Sequence, residues 1–352
     1  PSQSVALGLK ASVLLSSVEG TLDGEATLEM VFGSGMSLQD IVFYGKAELA
    51  TDNIGQGLLD NRISKFLMNQ QQTRTQDDAE SQNPLGKISA ALFMRMNFTA
   101  GFELQGTFNT YLNAGNGIIV GSGSADLLLS TPQNKWHLYI GGYSDGSITV
   151  QQLSNTVTLY PVSVSIQYEN DPNDPSDDIQ VSASAYFLTG NDIPGPPPLD
   201  PQAAAVFGVN NSNRGGLGGT PALGTGFAFG AAANFNFTYT KTPNKRYVNL
   251  SGGVGFDISL LKYANGTTCS LSNTSPHGLK HWRANGNLWT FMSASGKWKV
   301  IATIPFNVSL GVLLQADVPK PSYFNGQVAL QLPFGINVPF GVSVGQQCGT
   351  VY

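Results

Sequence analysis

The stretch Phe-Ala-Phe-Gly-Ala-Ala-Ala-Asn-Phe-Asn-Phe-Thr-Tyr, residues 227–239, decides the fold class of this 352-residue chain. Every odd-numbered position in it is apolar or aromatic, whereas the even-numbered positions are small or polar. Successive side chains of a β-strand point to opposite faces, so this period of two predicts one long strand with a single apolar face. We expect that apolar face to be buried.

The same alternation recurs along the chain. It is found in four further segments, residues 5–15, 248–260, 304–314 and 334–344. Helical periodicity is confined to residues 58–67, and residues 202–206 suit one further helical turn. The sequence therefore predicts an all-β protein of long antiparallel strands with at most one or two short helices. A sandwich, a barrel and an extended stacked sheet all fit this pattern.

A proline-rich segment, residues 192–201, interrupts the strand pattern, and a glycine-rich segment follows it at 210–226. Proline lacks the amide donor that a central strand needs. On this basis we divide the chain into an N-terminal β region at residues 1–195, a connector at 196–226 and a C-terminal β region at 227–352. The alternative is one sheet system that continues across the connector.

Charge and composition limit the function classes. Only 12% of the residues are charged, and the net charge is −5. An acidic chain without a basic cluster is unsuited to nucleic acid, and no apolar run is long enough for a transmembrane helix. Low charge with abundant Gly, Asn, Ser and Thr is typical of extracellular β proteins and of subunits covered by neighbours. The composition thus predicts an extracellular or cell-surface location.

Two cysteines, Cys269 and Cys348, are present, and neither belongs to a CxxC pair. One disulfide is the simplest expectation for a chain outside the cytoplasm, and two buried free thiols are the alternative.

An acidic segment contains four aspartates in eight positions, namely Asp171, Asp174, Asp177 and Asp178. Carboxylate oxygens are ligands that Ca²⁺ prefers, so these residues are a candidate calcium site. The segment lacks the glycine and the terminal glutamate of an EF-hand, and its two prolines also suit a solvated hairpin turn. The sequence indicates no other cofactor.

The remaining motifs do not form a catalytic site. No GxSxG elbow is present, and the glycines of residues 215–219 lack the flanking strand and helix of a phosphate-binding loop. His277 and His281 are four residues apart, but no glutamate follows the first histidine as in zinc proteases. His137 stands in a predicted strand with no partner identifiable from the sequence. We therefore expect a non-enzymatic protein.

The C-terminal part of the chain carries an ordered set of motifs. Cys269 is followed by Trp-Arg-Ala-Asn-Gly-Asn-Leu-Trp at 282–289, by Leu-Leu-Gln-Ala-Asp-Val-Pro-Lys-Pro at 313–321 and by Gly-Gln-Gln-Cys at 345–348. This order resembles a module of large, poorly characterised cell-surface proteins of Bacteroidetes, although Trp289 stands where tyrosine is commoner in them. The resemblance implies an exported surface protein, favours a Cys269–Cys348 disulfide and carries over no catalytic residue.

The same tryptophans have a simpler interpretation as packing residues. Trp282, Trp289 and Trp298 are expected to anchor contacts between sheets, because an aromatic side chain buries a large area.

Three functions fit these observations. The leading hypothesis is a structural protein that binds copies of itself through open strand edges and forms a filament, tube or layer. A carbohydrate- or surface-binding adhesin module is the first alternative, with Trp136, Tyr139 and Tyr143 as its candidate contacts. An outer-membrane β-barrel is the second, since the strands of such proteins alternate over about 10 residues and face a polar interior.

Overall fold

The computed structural model describes most of the chain. The described residues are 5–16, 22–34, 36–50, 87–114, 119–142, 148–152, 155–169, 178–194, 199, 201–208, 223–240, 247–269, 278–299, 303–333 and 336–348. Strands account for about 82% of them, and the prediction of an all-β protein is confirmed.

The chain divides into two units. The first contains residues 1–142 and 147–162, and the second contains residues 143–146 and 163–352. The division falls earlier than the break that the sequence indicated near residue 195. The reason is that the strands on either side of the Pro/Gly-rich connector pair with each other along most of their length.

The first unit contains a meander of antiparallel strands in chain order. Its strands are β1 (Val5–Ser16), β2 (Leu22–Gly33), β3 (Leu38–Ala50), β4 (Lys87–Asn97), β5 (Glu103–Ala114), β6 (Ile119–Ser130) and β7 (Lys135–Ile140). Each strand pairs with the next one along the chain. A separate hairpin is formed by β8 (Ile148–Gln152) and β9 (Asn155–Leu159).

The second unit continues with longer strands. They are β10 (Val162–Glu169), β11 (Asp178–Pro194), β12 (Leu223–Thr240), β13 (Tyr247–Tyr263), β14 (Trp282–Lys299), β15 (Thr303–Val318), β16 (Tyr323–Leu332) and β17 (Ile336–Gly345). From β11 onward every strand is antiparallel to the next. The 18-residue strand β12 contains the whole of residues 227–239, so the strand predicted there is confirmed.

One helix, α1 (Pro201–Phe207), packs against the second unit. Leu199, Ala203 and Ala204 pack with Trp289, Phe291 and Leu313 of β14 and β15 in a small buried apolar cluster. The helical turn predicted at 202–206 lies within α1, whereas the one predicted at 58–67 lies outside the described residues. None of the described helices is both long and apolar enough to cross a bilayer.

Cys269 and Cys348 form a disulfide, with their Cα atoms 4.8 Å apart. The bond joins the chain just beyond β13 to the chain just beyond β17. It therefore holds two points of the same end of the second unit together, and the disulfide expectation is confirmed.

Candidate functional site

The apolar positions of the second unit form one exposed face. Strand pairing places Val254 of β13 opposite Thr290, Thr290 opposite Val312, Val312 opposite Val328, and Val328 opposite Phe340. Val254 is 52% exposed and Phe340 is 67% exposed. The same side of β12–β17 also exposes nine further large apolar side chains, Phe227, Ile258, Leu288, Met292, Leu310, Leu314, Val338, Val342 and Val344.

This exposure overturns the expectation that the alternating apolar residues line a buried face. The alternation was assigned correctly to strands, but the apolar side of these strands faces outward. A sequence period of two determines which residues share a face. It does not determine which of the two faces the fold covers.

The first unit has the same arrangement. Leu28 lies opposite Phe43, Phe43 lies opposite Met94, and Leu129 lies opposite Trp136. Nine large apolar side chains on this side are exposed, namely Leu7, Leu9, Val13, Leu28, Phe108, Leu129, Trp136, Leu138 and Ile140. Both units therefore present an apolar sheet face to their surroundings.

The opposite side of the second unit is buried, and it carries polar side chains beside the apolar cluster of Trp289, Phe291 and Leu313. Its buried polar residues include Asp257, Ser259, Arg283, Asn287, Ser309, Asp317 and Asn325. Asn325 Nδ2 donates to Gln315 Oε1 at 2.9 Å, and Gln315 Nε2 donates to Asn287 Oδ1 at 3.1 Å, so an amide chain crosses three strands. Polar side chains buried in this way need hydrogen-bond partners, and Asn287, Gln315 and Asn325 find them on neighbouring strands.

A second polar contact on this face joins more distant strands. The hydroxyl of Tyr186 on β11 donates to Asp257 Oδ1 on β13 at 2.8 Å. It reaches across β12 because Gly230, which lies between them, has no side chain; a Cβ there would lie 2.7 Å from the Tyr186 ring.

Arg283 is the centre of the most connected group on this face. Its guanidinium forms an ion pair with Asp317 and donates to the carbonyl oxygens of Pro319 at 3.0 Å and Lys320 at 2.7 Å. The other carboxylate oxygen of Asp317 accepts from the backbone N–H of Cys348 at 3.4 Å. Burial, reinforced by the negative charge of Asp317, raises the pKa of the nearby Tyr263 well above its usual range. The group thus fastens the β15–β16 turn and the disulfide-linked C-terminal segment to β14.

The first unit buries a hydrogen-bonded histidine–aspartate pair on the side opposite its exposed apolar face. His137 Nε2 lies 2.7 Å from Asp126 Oδ2, and both side chains are fully buried. The Tyr139 ring stacks on the His137 ring with 4.3 Å between the centroids. Nearer the surface, Arg95 donates to both carboxylate oxygens of Asp40, and this hydrogen bonding raises the pKa of Arg95.

The predicted calcium ligands are largely outside the described residues. This is true of Asp171, Asp174 and Asp177, and only the backbone of Asp178 is described, at the start of β11. In the part of the chain that the structure describes, no group of three His, Cys, Asp or Glu side chains is arranged to hold a metal ion. The calcium site stays a prediction.

The aromatic residues proposed for carbohydrate binding do not share a surface. Trp136 is exposed on the apolar side of β7, whereas Tyr139 is buried on the polar side, and Tyr143 lies outside the described residues. Among the tryptophans expected to pack, Trp289 is buried, but Trp282 is exposed at the start of β14. A glycan partner stays a prediction from the sequence.

No known protein family, curated protein or solved structure matches this chain.

The sequence did not reveal the partner of His137. Asp126 and His137 belong to adjacent strands joined by a short turn, and both lie on the non-apolar side of their strands. The signal was present in the alternation itself, since charged residues fall between the apolar positions. The register of the β6–β7 pairing was needed to decide which of these charged residues contact each other.

Proposed function

We propose that this protein is a non-enzymatic outer-membrane protein of the cell surface, with its apolar strand faces in contact with lipid. The observation that carries this proposal is the distribution of polarity across the strands, with the alternating apolar side chains exposed and ionisable side chains such as Asp257, Arg283 and Asp317 buried on the opposite side. In water, folding removes apolar area from the solvent. When the surrounding medium is hydrocarbon, the opposite distribution is stable, and strands alternate between a lipid-facing and a polar side.

The dimensions of the apolar face support lipid as its partner. Alternate positions on a strand are about 6.8 Å apart, so the five apolar positions of β17 from Ile336 to Val344 extend over roughly 27 Å. This is close to the apolar band of about 25 Å in membrane strand proteins. Six strands at about 4.8 Å spacing make the face of β12–β17 roughly 780 Å² in area, which is above the roughly 300–600 Å² of the largest apolar patch on a typical soluble monomer.

The position of the one charge on this face also supports the proposal. In β12–β17, Lys262 is the one charged residue among the described positions of the apolar side, and it lies one residue before the end of β13. Lysine near the end of a membrane segment reaches the interface with its ammonium group, while a charge at the centre is costly.

The disulfide and the sequence resemblance support the cellular location. Disulfides persist outside the reducing cytoplasm, including in the periplasm and at the cell surface. The motif order around Cys269 and Cys348 resembles exported surface proteins. Both fit an outer-membrane position, and neither requires an enzymatic site.

An arginine placed at two depths of the apolar face tests the proposal. In vesicles, Leu310→Arg at the middle of β15 is expected to lower the unfolding free energy by about 2–4 kcal/mol, because the guanidinium would lie in hydrocarbon. Leu332→Arg at the end of β16 is the matched control and should cost about 0–1 kcal/mol. Urea unfolding followed by tryptophan fluorescence measures both. Equal costs at the two depths, or a monodisperse protein in buffer without detergent, would contradict lipid contact.

Self-association into a filament, tube or layer is the second candidate. The observation that favours it is the position of β17, which ends the strand order and is exposed on both faces from Val338 to Gly345. An exposed edge strand can pair with another chain. Electron microscopy and light scattering of the detergent-free protein decide this point. Regular polymers would favour assembly, whereas a monomer of formula mass would exclude it.

A further inference from the structure

We infer that one end of the apolar face binds the phosphate groups of anionic lipids through Lys262, Lys280 and Lys320. This inference rests on the proposed membrane location. It adds which lipid headgroups the protein contacts at that end of the apolar face. The lysines lie in different parts of the sequence, and the fold of the second unit brings them to one rim.

Backbone contacts place the three lysines together. Lys262 lies directly opposite Trp282 in the β13–β14 pairing. The next residue, Tyr263, donates its N–H to the His281 carbonyl at 3.0 Å, which fixes the segment containing Lys280 beside the end of β13. Gly278 donates its N–H to the Lys320 carbonyl at 2.8 Å and thereby joins the turn after β15 to the same rim.

The rim carries positive charge that the described residues do not neutralise. All three lysine residues are exposed. The acidic residue described near these lysines is Asp317. Its carboxylate is buried in an ion pair with Arg283. The ammonium groups are therefore available to an anion outside the protein.

Apolar side chains beside the lysines indicate that the anion belongs to a lipid. Leu279 is 61% exposed, and Trp282 and Phe324 are exposed at the same ends of β14 and β16. Trp282 and Phe324 are on the apolar side, so the rim is continuous with the proposed lipid-facing surface. Aromatic residues and lysines together are typical of the interface between hydrocarbon and headgroups. A site for free phosphate would not need this exposed apolar border.

The backbone conformation of two lysines supports a role for their side chains. Lys280 has a φ of 50° and Lys320 a φ of 51°, in the left-handed region that glycine adopts far more readily. A lysine at these positions strains the backbone. This gives a test in which stability and lipid binding should change in opposite directions.

Fluorescence quenching at Trp282 measures lipid binding at the rim. The full chain is reconstituted into phosphatidylcholine vesicles that contain either dibrominated phosphatidylglycerol or dibrominated phosphatidylcholine. Subtracting the signal of Trp282→Phe isolates the quenching of Trp282. We expect the unmodified chain to bind the anionic lipid preferentially, with each lysine contributing about fivefold to the relative binding constant.

Matched variants separate the charge effect from folding. Lys280→Gly and Lys320→Gly should each reduce the preference about fivefold while keeping or raising the melting temperature, because the left-handed strain is relieved. Lys262→Gln should also reduce the preference. Lys10→Gln removes one charge from the non-apolar side of β1 in the first unit, so it should leave the preference unchanged.

The outcomes distinguish this inference from the proposed function. Equal quenching by the two lipids, or a preference retained when all three lysines are replaced, overturns the lysine rim and leaves the membrane location intact. Competition by inorganic phosphate at equal phosphate concentration would show a site for the free anion and would also overturn it. Failure of the protein to enter either vesicle would overturn the proposed function and this inference together.

Discussion

Trp289 lies directly opposite Gly255 in the β13–β14 pairing, and its indole occupies the space that a side chain at Gly255 would need. A Cβ at Gly255 would lie 2.7 Å from Trp289 Cε2 and 2.9 Å from the Ala231 carbonyl oxygen. Trp289 is almost fully buried and packs against α1 through the small apolar cluster. The absent side chain at Gly255 therefore allows the tryptophan to reach the helix.

Gly255→Ala is expected to destabilise the protein by about 1–3 kcal/mol, because the indole must move away from its packed position. Gly286→Ala on the next strand is the matched control. Its Cβ would meet its neighbours at 3.6–4.0 Å, which is ordinary contact, so its effect should be within about 0.5 kcal/mol. Denaturant unfolding measures both changes. Equal losses of stability in the two variants would mean that the close approach of Trp289 to Gly255 does not contribute to the stability of the fold.

Arg283→Ala is expected to lower the unfolding free energy by about 3–5 kcal/mol, because it leaves the buried Asp317 carboxylate without its cation. Arg95→Ala is the control, since it breaks a similar ion pair with Asp40 whose side chains are 32% and 16% exposed. Solvent screening should limit that loss to about 1 kcal/mol. Thermal and urea unfolding compare the two variants, and similar losses would contradict the central role of Arg283.

The buried His137–Asp126 pair predicts a non-additive pair of mutations. His137→Phe preserves a ring beside Tyr139 but leaves a buried carboxylate, so it should destabilise the first unit by about 3–5 kcal/mol. Adding Asp126→Leu removes that carboxylate and should recover most of the loss. A double-mutant cycle by denaturant unfolding measures the coupling. Additive losses would show that the pair does not act as a unit.

Tyr263 predicts a loss of stability at alkaline pH. Its pKa in the folded protein lies above the ordinary value of about 10, so the unfolded chain loses this proton first as the pH rises. The stabilising contribution is therefore complete below about pH 10 and decreases above it. Between about pH 8 and about pH 11, the unfolding free energy of Tyr263→Phe should fall less steeply than that of the unmodified chain.

Tyr239→Phe is the control for this pH dependence, because Tyr239 is 40% exposed. An equal decrease in the unmodified chain and in Tyr263→Phe would mean that Tyr263 does not contribute.

The strands could be predicted from the sequence because their signal is local. Alternation over residues 227–239 and 304–314 is enough to assign a strand and to group its residues by face. The direction of each face is a different matter, because it depends on what surrounds the folded chain. The same alternation fits a sheet folded around an apolar core and a sheet surrounded by lipid.

The contacts between polar side chains could not be predicted, because they join residues that are far apart in sequence. Arg283 and Asp317 are 34 residues apart in sequence and meet only through the β14–β15 register. Tyr186 and Asp257 are 71 residues apart and meet across an intervening strand. Sequence reasoning identified Cys269 and Cys348 as partners because no other cysteine competes for either of them.

The disulfide turns the C-terminal strands into a covalent ring. Cys269 and Cys348 are 79 residues apart, and β14, β15, β16 and β17 with the three turns between them all lie inside that interval. A protease that cuts any one of these turns therefore cannot release a fragment while the bond is intact. The four strands remain tethered after a single cut, and both a cut and reduction of the disulfide are needed to separate them.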